Sequence, residues 1–114
     1  MPEPREPSSS DLLPGTLEML ILGTLRLGPL HGYGITQHIE PTSGGVLSVP
    51  QGSLYPALER LLTKGLVTAQ WGKSPTGRRA RYYTITTSGL RRLDAKLAEY
   101  ARVTGAIGRV MSEA

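Results

Sequence analysis

The chain has 114 residues, of which 39% are apolar and 19% charged, with a formal charge of +4 and no cysteine. That length buries one core and excludes a multidomain enzyme with a separate cofactor-binding half. Without thiols there are no disulfide staples, thiolate zinc sites, iron–sulfur clusters or cysteine nucleophiles, which points to the inside of a cell, with a cytoplasmic location expected.

The opening MPEPREPSSS lacks the basic-then-apolar order of a signal peptide. Its proline, serine and charge predict a disordered tail over residues 1–11. Leu13, Leu17, Leu20, Ile21, Thr24 and Leu25 then recur at helical spacing, predicting a first helix over 12–28 with Pro14 in its first turn and Gly28-Pro29 as its stop. Glu18, Gly23, Thr24 and Arg26 interrupt this stretch. It falls short of the roughly 20 apolar residues that cross a bilayer, so it predicts a core helix and no membrane partner.

His31-Gly32-Tyr33-Gly34 predicts a short turn, and Ile35 and Ile39 mark one face of a second helix ended by Pro41. Thr42 to Gly45 is a loop by composition. Ser48 and Gln51 have the spacing of a capping box for a third helix from about Val49 to Lys64, stopped by Gly65. Leu54, Leu58, Leu61 and Leu62 would point inward. Pro56 removes one backbone bond, so the helix is either kinked there or regular only later, and its start stays open.

Leu66–Trp71 and Arg79–Thr86 are β-prone runs joined by Gly72 to Gly77, the pattern of a two-stranded hairpin with a projecting basic loop. From Thr87 onward, Leu90, Leu93, Leu97, Tyr100, Thr104, Ile107 and Met111 alternate at heptad spacing. Such a seam exceeds what a small domain covers, so it predicts pairing with an identical chain; the competing reading is a helix folded back on its own core. Gly105 and Gly108 predict fraying beyond Val103 unless packing compensates.

Between Glu59 and Asp94 the chain has no acidic residue, but it has Arg60, Lys64, Lys73, Arg78, Arg79, Arg81, Arg91 and Arg92. A one-signed segment within a folded domain suits a polyanion, because phosphates release condensed counterions to it. A merely solvated basic face is the bland alternative. Catalysis finds little support: the chain has two histidines, His31 and His38, and scattered carboxylates. His31 reads as a capping or packing residue, and the pair has no third ligand for a metal. No cofactor is expected.

Three helices, a hairpin and a further helix give a mainly α fold, α+β in detail: a winged helix-turn-helix with a two-stranded wing and a C-terminal dimerisation helix. The third helix can enter a major groove while the basic loop follows the backbone or enters a minor groove. The expected division is a DNA-binding domain over 12–86 and a dimerisation helix over 87–114. The rival from another class is a winged-helix protein–protein assembly module, which has no need of so basic a loop.

The blocks LPGTLEMLILGTLRLGPLHGYGI, SVPQGSLYPALERLLTKGLV and WGKSPTGRRARYYTITTSGLRRL resemble the PadR family of bacterial transcriptional regulators over residues 12 to about 100. The single short C-terminal helix resembles the family's compact subgroup. The resemblance implies a homodimeric repressor that dimerises through its C-terminal helix and has room for a small-molecule effector; a twofold dimer in turn predicts a palindromic operator. By position it implies major-groove contacts from Gln51, Gly52, Ser53, Tyr55 and Pro56, with Arg60 nearer the phosphates. It assigns wing contacts to Lys73, Ser74, Thr76, Arg78, Arg79 and Arg81. The residues themselves leave Tyr55 open between groove contact and half-buried ring, and strand alternation sets Arg81 at the core edge as readily as on DNA. Trp71 is expected to pack between wing and C-terminal helix. With Tyr100 the sole aromatic on that helix, multidrug sensing by ring stacking is not expected.

Overall fold

The computed structural model describes residues 15–112, in the order α1 (Thr16–Leu25), β1 (Leu30–His31), α2 (Gly32–Thr42), α3 (Gln51–Thr63), β2 (Val67–Lys73), β3 (Arg79–Ile85) and α4 (Thr87–Ser112). The expected tail over 1–11 and the expected helix start around Leu13 and Pro14 lie outside the described residues. The α1 helix begins after Gly15, whose φ of +81° favours a residue without a β-carbon. It buries Ile21, Leu22 and Leu25. Thr24 is buried with them and satisfies its hydroxyl by donating to the Leu20 carbonyl at 2.8 Å.

His31 to Gly34 is not a free-standing turn. The α2 helix already begins at Gly32, with His31 as its N-cap: Nδ1 accepts the Gly34 N–H at 2.9 Å, the task a Ser or Asp oxygen usually performs. The backbone just before it forms β1, pairing Leu30 with Tyr83 and His31 with Tyr82. The wing sheet is therefore three-stranded, in the order β1-β3-β2 and antiparallel throughout. A two-residue strand is too short to show alternation. Pro41 does not end α2 but sits inside its last turn, where the loss of one N–H is tolerable. Ser43 and Gly45 close the end by donating their N–H groups to the Ile39 and Glu40 carbonyls.

The α3 helix starts at Gln51, later than the spacing predicts. The Ser48–Gln51 capping box is not formed; Pro50 stands at the N-cap and offers no side-chain bond. Its carbonyl instead accepts from the N–H groups of Ser53 and Leu54. Pro56 lies within the helix without breaking it. The carbonyl it deprives of a partner belongs to Gly52, which is exposed, so water can take its place. Leu54, Ala57, Leu58 and Leu61 form the buried face, with Leu62 only half-buried.

The core joins these helices to Leu66, Val67 and Tyr83 of the sheet side and to Leu93 of α4. Each fully buried aliphatic side chain contributes about 1.5–3 kcal/mol. Thr86 ties α4 down: its hydroxyl donates to the Gly65 carbonyl at 2.8 Å and accepts the Gly89 N–H at 3.0 Å. Gly89 is buried so closely that a β-carbon there would overlap the Leu66 carbonyl oxygen.

Beyond Leu93 the apolar side chains of α4 turn to solvent. Leu97, Tyr100, Val103, Ile107, Val110 and Met111 are all exposed, as is Leu90. The expected seam is thus split: Leu93 belongs to its own domain's core at 1% exposure, because α4 packs along α1 there. Val103 and Val110 widen the outer stripe on its flank. Helix continues through Gly105 and Gly108 to Ser112, with neither glycine at positive φ.

Candidate nucleic-acid interface

The inward leucines of α3 decide which of its residues face out. Gln51, Gly52, Ser53, Tyr55, Pro56, Glu59 and Arg60 are all exposed, so the residues expected to act together share one surface. No acidic side chain occupies the first turn and no side chain caps it, leaving the positive end of the helix dipole open to solvent. A β-carbon at Gly52 would meet nothing within 4 Å, so its backbone is open to close approach.

The wing's β2 and β3 run in register from Val67↔Ile85 to Lys73↔Arg79. Between them Gly77 takes φ +83° and donates its N–H to the Ser74 carbonyl at 2.8 Å, while Ser74 N–H donates to the Arg78 carbonyl at 2.7 Å. The hydroxyls of Ser74 and Thr76 are 2.9 Å apart and hydrogen-bonded, so these two residues order the tip. Arg78 and Lys73 are exposed beside it. Tyr82 buttresses the wing base, donating its hydroxyl to the Lys73 carbonyl at 2.6 Å and setting its ring edge-on to His31, with centroids 5.2 Å apart.

On the wing face that continues from Val67, Ala69, Tyr83 and Ile85, two arginines are held in different ways. Arg79 lays its guanidinium over the Trp71 ring, 4.3 Å from the centroid. Arg81 bonds Glu59 of α3 through Nη1 and Oε1 at 3.0 Å and sits 5.8 Å from the Tyr83 ring. Burial pushes the Tyr83 phenol above its usual range, opposed by the neighbouring Arg81 charge and reinforced by Glu59. Of the two readings open for Arg81, the structure places its guanidinium against a carboxylate of α3 while its side chain stays partly exposed. The expectation for Trp71 is corrected, for it packs under no helix. Alternation puts it on the core-side face, but beyond the end of the core, so it remains 56% exposed.

Together with Tyr33, Tyr55 and Glu59, these side chains line an open cleft between α3 and the wing. Lys64, counted with the basic segment in the sequence, instead faces Glu18 at 3.7 Å, which also lies 3.8 Å from Lys96 of α4. Arg78, Arg79 and Arg81 line the cleft, and Arg60 and Lys73 are exposed on α3 and the wing. The sequence reading missed Tyr33, Glu59 and the role of Trp71. Glu59 was visible only as the acid bounding a basic segment, and its pairing with Arg81 spans 22 residues. Among the described residues no group of His, Cys, Asp and Glu side chains could hold a metal ion, and no helix is long and apolar enough to cross a membrane.

A helix with a free positive end beside a hairpin of exposed arginines is a geometry suited to a polyanion. The Transcriptional regulator PadR-like family model matches residues 21–95, which include α2, α3, the wing and the docked part of α4. This chain belongs to that family. Its members are transcriptional regulators, not enzymes. The Negative transcriptional regulator PadR of Bacillus subtilis is 35% identical over 77 residues, covering 68% of this chain and 42% of that protein. This chain thus spans less than half the length of that PadR. A transcriptional regulator from Clostridium thermocellum superposes with a TM-score of 0.77 at 26% identity, covering 83% of this chain and 89% of the other. Bacillus subtilis PadR, solved in complex with operator DNA, superposes with a TM-score of 0.66 at 33% identity, covering 75% of this chain and 47% of that one. The PadR winged helix is accordingly the fold of this chain.

Proposed function

We propose that this chain is a cytoplasmic, homodimeric repressor that binds a palindromic double-stranded operator, with α3 in the major groove and the wing beside it. The observation that carries the reading is the exposed, uncapped start of α3 next to an exposed arginine hairpin, in a family with a member solved on operator DNA. Gln51 and Ser53 would read base edges, the Gly52 backbone and Pro56 would allow close approach, and Tyr55 and Arg60 would meet the strand. Lys73, Arg78 and Arg79 would supply the wing's phosphate or minor-groove contacts, ordered by Ser74 and Thr76. Arg81 is left out of this set because Glu59 engages it.

The dimerising surface we propose is outer α4: Leu90, Leu97, Tyr100, Thr104, Ile107 and Met111, widened by Val103 and Val110. Leu93 is left out of this surface because it packs in the DNA-binding domain's core. A small-molecule effector is compatible with this surface, although Tyr100 is its sole aromatic ring.

Selection of bound fragments from a random duplex pool tests the reading, followed by titration of the recovered duplex between about 50 and 200 mM salt. Affinity should fall about a thousandfold or more over that range if six or more phosphates are contacted. Arg78→Ala with Arg79→Ala should lower the salt slope by roughly one unit for each phosphate left without its arginine, whereas Gln51→Ala or Ser53→Ala should relax sequence preference. Recovery of no enriched sequence, with weak and salt-insensitive binding, would favour the assembly module instead.

A further inference from the structure

The two wing arginines that face α3 differ in what remains available on each. Glu59 accepts one in-plane N–H of Arg81, from Nη1, and offsets its charge at 3.0 Å. Arg79 instead sets its guanidinium carbon over the Trp71 ring, 4.3 Å from the centroid, a cation–π contact and not an ion pair. A guanidinium carries its five N–H donors in its plane, so stacking leaves them directed outward and leaves the charge uncompensated. The indole therefore removes side-chain freedom from Arg79 without competing for what it would bind. In the wing register Trp71 pairs with Arg81 and Lys73 with Arg79, so the stack is diagonal across the two strands and lies toward the tip. Trp71 is 56% exposed, an unusual position for a large ring with no core role, and it lines the cleft with Tyr55 of α3.

We infer that Trp71 is a positioning residue for duplex binding. Its indole face holds Arg79 at the mouth of the cleft, with the guanidinium edge set to meet a phosphate of the strand running between α3 and the wing. This rests on the DNA-binding reading above and adds a residue and a mechanism to it. An arginine ordered before binding loses less freedom on contact than one that must be ordered by the DNA. Arg81 is the internal contrast: it is held by a carboxylate that takes one of its donors and offsets its charge.

The test uses the full chain with the duplex recovered by selection and with a random-sequence duplex of the same length, so that base reading and backbone contact are separated. Trp71→Ala, Trp71→Phe, Arg79→Ala, Arg79→Lys and the Trp71→Ala/Arg79→Ala pair are compared, each first checked for an unchanged circular-dichroism spectrum and melting transition. Because the stack is exposed, Trp71→Ala should weaken both duplexes about two- to fivefold and Trp71→Phe less. Arg79→Ala should weaken binding about tenfold or more and lower the salt slope by about one unit. Arg79→Lys should keep the slope but lose affinity, since an ammonium cannot reproduce the planar stack. The decisive value is the double variant, expected to bind no more weakly than Arg79→Ala alone.

Trp71 is the sole tryptophan, so its emission in the free protein should also change on Arg79→Ala. If the double variant is weaker than Arg79→Ala by the full Trp71→Ala factor, Trp71 does not act through Arg79. If Trp71→Ala binds like wild type while Arg79→Ala is impaired, the stack is irrelevant to binding. Either result overturns this inference and leaves DNA binding standing. Failure of the wild-type chain to retain either duplex at about 50 mM salt removes both.

Discussion

The phenol of Tyr55 leans against the α-carbon of Gly32: a β-carbon built on Gly32 would lie 2.8 Å from Tyr55 Oη and 3.0 Å from the two adjoining ring carbons. A ring on α3 is thus seated on the first turn of α2, while 44% of Tyr55 stays exposed toward the cleft. Tyr55 is both a packed ring and a surface one. Gly32 has no positive φ, so alanine there meets no backbone penalty and acts only by displacing the phenol. Gly32→Ala should cost about 1 kcal/mol of stability, the low end of the range for overpacking, because the atoms in its way end an exposed side chain. Adding Tyr55→Ala should restore much of that loss. Urea unfolding of the two single variants and the double variant measures the coupling, and additive losses would contradict the contact.

The Glu59–Arg81 pair should matter more to binding than to folding. Its side chains are 61% and 38% exposed, and exposed ion pairs contribute about 0–1 kcal/mol. Glu59→Gln should leave the unfolding midpoint nearly unchanged. It removes a negative charge from the cleft and leaves the Arg81 charge without its carboxylate, so duplex affinity should rise and the salt slope steepen by about one unit. Fluorescence anisotropy with a labelled duplex reads both. Weaker binding would mean that the pair's main work is to hold the wing against α3.

Much of this arrangement was legible in the sequence because it rests on periodicity and charge. The leucines of α3 set its exposed face, and the loop from Gly72 to Gly77 with its arginines announced a projecting hairpin. What escaped depends on tertiary pairing. Strand β1 is too short for alternation, although His31 beside it does read from the sequence as a capping or packing residue and caps α2. Pro41 and Pro56 are tolerated because each deprives only one carbonyl of its partner. Glu59–Arg81 and Trp71–Arg79 meet only once strand register and helix packing are fixed. Lys64 counts with the basic segment because sequence proximity does not show that it turns to Glu18.

The raised phenol of Tyr83 gives an alkaline test. Because the folded state holds this proton more tightly than the unfolded chain, stability from it is fully present below about pH 10 and is lost as pH rises through the higher folded value. The melting temperature should therefore fall above about pH 10 more steeply in the wild type than in Tyr83→Phe. Parallel profiles for the two proteins would show that burial of this phenol does not influence folding.

Leu93 and Leu97 are one helical turn apart on α4 but should fail in different ways. Leu93 is 1% exposed within the domain core, whereas Leu97 is 39% exposed on the proposed dimer stripe. Leu93→Asp buries a carboxylate without a partner and should unfold the domain. Leu97→Asp should preserve the monomer's circular-dichroism spectrum, shift sedimentation to a single chain and weaken operator binding, because two linked half-sites no longer act together. A dimer that survives Leu97→Asp would move the interface elsewhere.

The glycines of α4 offer the last contrast, since one helix carries both a forced and a permissive position. Alanine normally improves a helix interior by about 1 kcal/mol over glycine. At Gly108 a β-carbon would meet nothing within 4 Å, so Gly108→Ala should raise the stability of α4 by up to about that amount. At Gly89 the same atom would overlap the Leu66 carbonyl oxygen and approach Ile85 Cγ1 to 2.7 Å. The carbonyl belongs to backbone that Thr86 also pins, through its N–H at 3.1 Å, so it cannot yield cheaply. Gly89→Ala should therefore destabilise the domain by about 1–3 kcal/mol despite its better helix propensity, and detach α4 from the connection between α3 and β2. Thermal unfolding of the two variants should move in opposite directions; a shared direction would mean that α4 does not dock through Gly89.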